Sequence, residues 1–230
     1  MAVRIVIPIA GSNQEDEGSD YIRGLYEVER KTVLQHVYES LAVIEDGLFV
    51  VVLRKEDIMK YHFDNMFRLM IPGVKIVVAD GSTKGAACSC LLAIDEIAEN
   101  SPLIIAGSDQ LETIKLQEAV NYFREQDFDG GIITFDGIHP RWSFVKTDKN
   151  GLVIEAAEKR PISKNATTGF YYYKKGGDFI DAAERMIKKG GSVNGKYYVC
   201  PTYNEMILEQ KRIGTYHIDQ KDYFNFRQDN

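Results

Sequence analysis

One stretch of the chain combines the residue types that hold a phosphorylated polyol. Glu158 and Lys159 end a β-rich run, and Thr167-Thr168-Gly169 opens the next one. A lysine ammonium balances phosphate charge, a glutamate carboxylate accepts hydrogen bonds from hydroxyls, and a glycine lets a ligand approach the backbone. The alternative is a surface hairpin with solvated charges. The pattern predicts an acceptor site that includes Glu158, Lys159, Thr168 and Gly169.

Asp109 follows the short apolar strand predicted at Leu103–Ala106, and it is the strongest single candidate for a metal ligand. A carboxylate just past the end of a buried strand is hard to explain by packing. A Mg²⁺ or Mn²⁺ ion that bridges phosphates needs a hard oxygen ligand at such a place. Capping the following helix is the alternative role. Ser108 and Gln110 share this strand end, and we assign Ser108 to the nucleotide and Gln110 to the acceptor.

Two glycine-containing turns are candidates for nucleotide binding. The turn Ala10-Gly11-Ser12 ends the first predicted strand and can present backbone N–H groups to a triphosphate. Thr83, Gly85 and Ala86 begin a helix built of small residues, so a flat base could approach its backbone closely. Close packing of that helix against the sheet is compatible with this role.

The composition is typical of a soluble globular protein. The chain has 230 residues, of which 44% are apolar and 27% charged. Its net charge of −6 argues against a general nucleic-acid binder, since such proteins present a basic face. Residues 1–10 are too short for a membrane span and lack the layout of a cleavable signal. Three cysteines suit a reducing compartment, so we predict a cytoplasmic protein with no membrane span.

Apolar strands alternate with helices through the first half of the chain, and strands dominate the second half. This order predicts an α/β fold with a parallel, doubly wound sheet that binds ligands at the carboxyl ends of its strands. Asn150-Gly151 is a hairpin signal in the strand-rich part. We predict one domain over 1–230, with a nucleotide-binding half over about 1–125 and an acceptor-binding half over 126–230.

Several short motifs carry a resemblance when their order and spacing are taken together. They are Ile-Pro-Ile-Ala-Gly-Ser at 7–12, Thr-Lys-Gly-Ala-Ala at 83–87, Ser-Asp-Gln at 108–110, Trp-Ser-Phe-Val-Lys at 142–146, the stretch 158–173, and Tyr-Tyr-Val-Cys-Pro-Thr-Tyr-Asn-Glu at 197–205. The pattern resembles the sugar-phosphate nucleotidyltransferase family, in the branch common in capsule and cell-envelope polysaccharide pathways. The resemblance covers about residues 3–218.

The resemblance implies both a fold and an activity. The fold is a three-layer Rossmann-like nucleotidyltransferase fold of the GT-A type, with a mostly parallel central sheet and a mixed C-terminal part. The activity is that of a Mg²⁺-dependent (or Mn²⁺-dependent) pyrophosphorylase, which joins an NMP from an NTP to a sugar phosphate or similar phosphorylated metabolite and releases pyrophosphate. The implied partners are the NTP and the phosphorylated acceptor, and a homo-oligomer remains an open alternative. Asp109 takes the family's metal-binding position, and Gly85 with its neighbours takes the base-binding one.

The sequence departs from the family pattern at two places. The first loop of the family is basic, but Gly11 and Ser12 are followed here by acidic residues, and Arg23 stands where the family has a phosphate-binding Lys. We predict that Arg23 contacts the donor phosphates and joins Asp109 and Lys159 as a catalytic residue. Thr202 stands where the family often has a second metal-binding Asp. Nearby Glu205 or Asn204 is the alternative ligand, or Asp109 serves with water only, and we also assign Asn204 to the acceptor.

Two other function classes stay open on the sequence alone. The first is a glycosyltransferase that uses a nucleotide sugar, although no Asp-x-Asp metal motif follows a strand. The second is a non-catalytic ligand-binding relative with an altered phosphate loop. Release of pyrophosphate from an NTP and a sugar phosphate separates the nucleotidyltransferase from both.

Overall fold

The described chain alternates strands and helices before it becomes rich in strands. The structure is a computed structural model, and it describes residues 2–10 and 23–226. The strands are β1 (Val3–Pro8), β2 (Glu27–Val28), β3 (Lys31–Thr32), β4 (Gly47–Arg54), β5 (Lys75–Ala79), β6 (Leu103–Ala106), β7 (Gln110–Glu112), β8 (Gly130–Asp136), β9 (Ser143–Thr147), β10 (Val153–Glu158), β11 (Asn165–Tyr173), β12 (Ile213–His217) and β13 (Tyr223–Asn225). The α-helices are α1 (Val33–Leu41), α2 (Lys55–Tyr61), α3 (Phe63–Met70), α4 (Ala86–Leu91), α5 (Leu116–Glu125), α6 (Gly176–Lys188) and α7 (Thr202–Leu208).

Nine strands form one central sheet. Its main path runs β10-β9-β11-β6-β1-β4-β5, and β8 pairs with both β11 and β12. Strand β1 is parallel to β4 and β6, and β4 is parallel to β5. In the second half, β11 is antiparallel to β6, β8 and β9. The predicted fold class, a parallel N-terminal sheet continued by a mixed C-terminal part, is confirmed.

Two apolar cores lie on opposite faces of this sheet, which makes the fold three-layered. One core holds the buried faces of α1, α3 and α5, including Val37, Phe67 and Phe123. The other holds side chains of α4, α6 and α7, including Phe179 and Tyr203. The alternation along β11 divides its side chains between the two cores, because successive strand residues point to opposite faces.

The residue pattern predicts a helix that has Thr32 as its N-cap and an apolar stripe of Val33, Val37, Leu41 and Ile44, and α1 begins there. Thr32 is its N-cap, and the Thr32 hydroxyl accepts a hydrogen bond from the Gln35 backbone N–H at 3.2 Å. The Gln35 side chain accepts in return from the Thr32 backbone N–H at 2.7 Å. This reciprocal capping box satisfies two amide groups that the first helical turn leaves without a partner. Val33, Val37 and Leu41 are buried, in agreement with the predicted apolar stripe.

Other elements differ from the sequence prediction. The sequence of residues 55–69 predicts one helix, but the structure has two, because His62 adopts a left-handed conformation (φ 54°) that breaks the run. The sequence after Gly85 predicts a helix to about Glu99, but α4 ends at Leu91. Strands β7 and β13, which pair with each other in antiparallel fashion, were not predicted. No helix in the described ranges has the length and apolar character that crossing a bilayer requires.

Candidate active site

A cleft of about 460 Å³ lies at the carboxyl ends of β1 and β6. Pro8 ends β1 there, and Gly107 follows β6. The β9–β10 pair, the start of β11 and the start of α4 form the other walls. The edge of an open α/β sheet at which parallel strands end is the usual place for a ligand. We call this feature the main cleft.

The end of β6 contributes three polar residues to the main cleft. Ser108 is 8% exposed, whereas Asp109 and Gln110 are half-buried. The Asp109 backbone carbonyl accepts a hydrogen bond from the Phe226 N–H at 2.9 Å, which fixes this loop to the C-terminal segment. The Asp109 carboxylate is thus carried on a backbone that the C-terminal segment holds in place.

Strands β9 and β10 place a carboxylate and an ammonium side by side. Glu158 pairs with Ser143 in the antiparallel register, and its carboxylate accepts a hydrogen bond from the Ser143 hydroxyl. Lys159 follows with a left-handed backbone (φ 53°), and its N–H donates to the Trp142 carbonyl at 3.0 Å. The Lys159 Nζ lies 5.3 Å from the centroid of the Tyr198 ring. This cation–π contact holds the ammonium at the cleft wall.

Gly85 and Ala86 form the opposite wall, where α4 begins. Gly85 has φ 109°, and a Cβ atom on it would lie 2.4 Å from the Tyr197 carbonyl oxygen. The Tyr197 N–H donates to the Lys84 carbonyl at 2.7 Å, and the Ala87 N–H donates to the Tyr197 carbonyl at 3.1 Å. Glycine is therefore required here for the approach of the protein's own backbone as well as for any ligand.

Two further cations line the main cleft, and neither was predicted from the sequence. Lys196 closes a tight turn in which Val193 and Lys196 exchange backbone hydrogen bonds of 2.9 and 3.0 Å. The two residues between them, Asn194 and Gly195, both have positive φ, as such hairpin turns require. Arg141 stacks on the Trp142 ring with its guanidinium carbon 4.0 Å from the ring centroid. With Lys159 these side chains give the main cleft three cations.

The C-terminal segment completes the cleft through Gln110. The Gln110 side chain lies across Gly169, where a Cβ atom would come within 1.5 Å of the amide nitrogen. Gly169 has φ 93°, at a shift in the β8–β11 register. The Gln110 amide oxygen accepts from the Tyr223 hydroxyl at 2.7 Å, and the Asn225 amide donates to the same hydroxyl at 3.1 Å. This series of hydrogen bonds places Asn225 at the wall of the main cleft.

Comparison with known proteins places the chain in a family. The model of the family described as "Nucleotidyl transferase" matches residues 23–207, which is most of the chain. The chain belongs to this family. No curated protein matches it.

Two solved structures show that the nucleotidyl transferase fold extends over the chain. A nucleoside-diphosphate-sugar pyrophosphorylase from Vibrio cholerae RC9 is 23% identical, with a TM-score of 0.81 and coverage of 96% of this chain and 94% of that one. A protein described as a glucose-1-phosphate thymidylyltransferase from Bacillus anthracis, in complex with a sucrose, is 18% identical, with a TM-score of 0.71 and coverage of 94% and 87%. At these identities the likeness concerns the fold alone.

In this family member, the main cleft brings together eight of the predicted site residues. They are Gly85, Ala86, Ser108, Asp109, Gln110, Glu158, Lys159 and Gly169. Gly11 and Ser12 lie outside the described residues. Arg23 opens a short 3-10 helix, Arg23–Leu25, and its contact with phosphate stays a prediction.

Three of the predictions need correction. Thr168 is fully buried on the far face of β11, and it is its neighbour Thr167 that lines the cleft. Asn204 binds the β10 backbone instead, since its side chain accepts from the Ala156 N–H and donates to the Ala156 carbonyl, both at 2.8 Å. Glu205 is 8% exposed and forms an ion pair with Lys189 at 2.7 Å. Neither Asn204 nor Glu205 lines the main cleft.

Two predicted nucleotide-binding residues support the cleft from behind. Ala10 is completely buried, and its N–H donates to the Val52 carbonyl at 3.0 Å. The Thr83 hydroxyl lies 2.7 Å from the Ser89 hydroxyl and 3.2 Å from the Gly85 carbonyl. Thr83 therefore fixes the turn that presents Gly85 and Ala86 to the cleft.

The residues of the main cleft would fit a magnesium ion. Its carboxylates are Asp109, at the end of β6, and Glu158, which accepts from the Ser143 hydroxyl, and Glu205 lies elsewhere in an ion pair with Lys189. No group of three His, Cys, Asp or Glu residues in the described ranges could hold a metal ion. Mg²⁺ often takes one or two protein carboxylates together with phosphate oxygens and water. Asp109 alone can fill that role.

The Tyr171 hydroxyl and the cysteine thiols near the cleft remain in their neutral forms. Burial raises the pKa of the Tyr171 hydroxyl well above its usual range, and the nearby Glu158 charge raises it further. Burial also raises the pKa of the Cys88, Cys90 and Cys200 thiols. A thiol is a nucleophile only as its thiolate, so none of the three is prepared for covalent catalysis.

Glu112 is a buried carboxyl behind the cleft, on the face of the sheet opposite to it. It is 6% exposed, and burial raises its pKa from its ordinary 4.5 to about 7. The Thr168 hydroxyl favours the charged form through a weak contact but makes no hydrogen bond of good geometry. A carboxyl of this kind is neutral in the folded state at mildly acidic pH.

We expect the stability of the protein to fall between pH 4.5 and pH 7 because of Glu112. The unfolded chain releases the Glu112 proton near pH 4.5, but the folded chain keeps it to about pH 7. Stability is therefore lost as the pH rises, by up to about 3 kcal/mol in total. The Glu112→Gln variant should be more stable than the wild type at pH 8 and nearly equal at pH 4.5 in urea unfolding. An equal difference at both pH values, or the same behaviour in the exposed control Glu125→Gln, would contradict this cause.

Proposed function

We propose that the protein transfers a nucleotidyl group from an NTP to a sugar phosphate or a similar phosphorylated metabolite and releases pyrophosphate. One observation carries the proposal: the main cleft joins Asp109, the Gly85–Ala86 helix start and the Glu158–Lys159 pair. Membership of the nucleotidyl transferase family supports the reaction class.

The walls of the cleft suggest where each substrate lies. The wall at Gly85 and Ala86 carries little side-chain bulk, so we assign the nucleoside to it. The opposite wall carries Glu158 and Lys159, to which we assign the acceptor hydroxyls and the acceptor phosphate. Thr167 and Ser143 lie on that side and offer hydroxyl groups. Asp109 lies at the end of β6 between these walls, where the phosphates of the two substrates would meet.

The reaction needs charge control more than proton transfer. An oxygen of the acceptor phosphate attacks the α-phosphorus of the NTP, and the bond from that phosphorus to the bridging oxygen of the β-phosphate breaks. Pyrophosphate leaves with the electron pair of that bond, so the principal task is to stabilise negative charge. Lys159, Lys196 and Arg141 supply positive charge within the cleft. Mg²⁺ held at Asp109 would add charge beside the donor phosphates.

Several finer assignments rest on the sequence alone. They are the dependence on Mg²⁺, a role in capsule or cell-surface polysaccharide biosynthesis, a cytoplasmic location, and the donor-phosphate contact of Arg23. We keep each as part of the proposal.

A pyrophosphate-release assay tests the proposed function. ATP, CTP, GTP, UTP and dTTP are each combined with a panel of sugar 1-phosphates, with and without Mg²⁺, and products are identified by mass spectrometry. We expect one pair to release pyrophosphate and to form the matching nucleotide sugar. Transfer of sugar from a nucleotide sugar without pyrophosphate release would identify a glycosyltransferase. Ligand-induced thermal stabilisation without turnover of any pair would identify a binding protein.

A further inference from the structure

A second cavity of about 300 Å³ lies at the other end of β6 and β11 from the main cleft. Pro102 precedes β6, and Lys174 and Lys175 follow β11. All three therefore lie at the ends of these strands that are farthest from the main cleft. The four residues of β6 separate Pro102 from Gly107, and the five residue steps between them span roughly 16 Å at the rise of an extended chain. The two sites share no lining residue.

The second cavity is rich in positive charge. Arg124, Lys174 and Lys175 line it, against one carboxylate, Asp127. Asp127 forms an ion pair with Lys174 at 2.5 Å. The positive charges of Arg124 and Lys175 are therefore the ones in the second cavity that no lining carboxylate balances. Lys175 is exposed and forms no ion pair with any residue in the described ranges. The Arg124 guanidinium lies near the Tyr172 hydroxyl, which burial keeps neutral by raising its pKa. The cavity therefore carries two positive charges that an anion could balance.

The remaining walls of the second cavity are aromatic. Phe128 is 8% exposed, and Tyr172 is 1% exposed and stacks on Phe123 with ring centroids 5.5 Å apart. Arg212 lies against Phe128 with its guanidinium carbon 5.4 Å from the ring centroid. Rings held in this way form a rigid apolar surface that a flat or cyclic ligand can contact at little entropic cost.

We propose that the second cavity is a binding site for a small organic phosphate that carries one ring. Arg124 and Lys175 contact the phosphate, and Phe128 contacts the ring. The volume stands at the lower end of the range of about 300–1,000 Å³ that small-molecule pockets occupy, so the ligand is no larger than a monophosphate of one sugar or nucleoside. The site does not depend on the reaction proposed for the main cleft.

Amide chemical shifts of ¹⁵N-labelled protein test the proposal, because they report the two sites separately. UMP, ribose 5-phosphate, inorganic phosphate and uridine are titrated in turn. Asn100, Lys174 and Lys175 report the second cavity, and Ser143 and Lys159 report the main cleft. We expect UMP or ribose 5-phosphate to shift the second-cavity amides in a saturable manner, with inorganic phosphate and uridine at least tenfold weaker.

Two double variants, each of which removes two positive charges, test whether the cations of the second cavity bind the phosphate. Arg124→Ala/Lys175→Ala should weaken binding at the second cavity at least tenfold and leave the titration of the main-cleft amides unchanged. Lys149→Ala/Lys188→Ala, in which both positions lie outside the two sites, should bind as the wild type does. The proposal is overturned if no probe shifts the second-cavity amides, if uridine binds as tightly as UMP, if inorganic phosphate equals the organic phosphates, or if both double variants behave alike.

Discussion

The Asp109→Asn variant is expected to lose roughly 10²- to 10³-fold in turnover in the pyrophosphate-release assay. Asparagine keeps the size of the side chain but removes the negative charge that would hold Mg²⁺ beside the donor phosphates. A loss of this size is typical when one preorganised electrostatic contact to a developing charge is removed. Initial rates at saturating NTP, measured over a series of Mg²⁺ concentrations, give the effect.

Fold stability and a matched aspartate are the controls for this result. The apo variant should melt within a few degrees of the wild type, because Asp109 is half-buried and its backbone carbonyl still binds the Phe226 N–H. Asp136 also ends a strand but is exposed, with 75% of its side chain accessible and no place in the main cleft. Asp136→Asn should keep its activity. Full turnover in Asp109→Asn would exclude the metal-binding role, and failure to fold would make Asp109 structural.

Lys159→Ala should lower kcat/KM for the acceptor by one to three orders of magnitude. The substitution removes the ammonium that we assign to the acceptor phosphate, which is a charge-assisted contact. The NTP affinity should change little, since the nucleoside is assigned to the opposite wall. Steady-state kinetics with each substrate varied in turn separates the two effects.

The neighbouring cation provides the control for Lys159. Arg160 follows directly in sequence but points away, with 67% of its side chain exposed and an ion pair to Glu155 at 2.7 Å. Arg160→Ala should therefore leave acceptor kinetics nearly unchanged. An equal loss in both variants would indicate a general effect of charge, and loss of NTP binding in Lys159→Ala would move this residue to the donor side.

The sequence was most informative where local patterns decide the structure. Apolar runs located the central strands, and β6 agrees in both bounds with the predicted Leu103–Ala106. The N-cap at Thr32 is set by residues three positions apart. Asp109 and Glu158–Lys159 lie at strand ends. The position of Asp109 in the cleft follows from the rule that ligands bind at the carboxyl ends of parallel strands. The pairing of β9 and β10 places Glu158 and Lys159 in the same cleft.

The remaining site residues depend on register and on contacts between distant segments. Thr167 and Thr168 are chemically alike, and only the pairing of β11 decides which hydroxyl faces the cleft. The sequence is equally consistent with Asn204 as a ligand contact and as a structural amide. The choice depends on the position of β10, whose Ala156 N–H donates to the Asn204 side chain. Asn194-Gly195 is a turn signal that could have pointed to Lys196. No local pattern indicates that β13 returns to Gln110.

The return of β13 also determines when the cleft can become complete during synthesis. Tyr223 and Gln110, which share a hydrogen bond, are 113 residues apart in sequence. At about 5–20 residues per second, a ribosome needs roughly 6 to 20 s to add that length. From their own synthesis until that of Tyr223, Phe135 and Trp142, which lie 4.4 and 5.6 Å from the Tyr223 ring centroid in the folded protein, lack that aromatic partner. A nascent chain of this protein therefore presents an unfinished, partly apolar cleft until translation has passed Asn225.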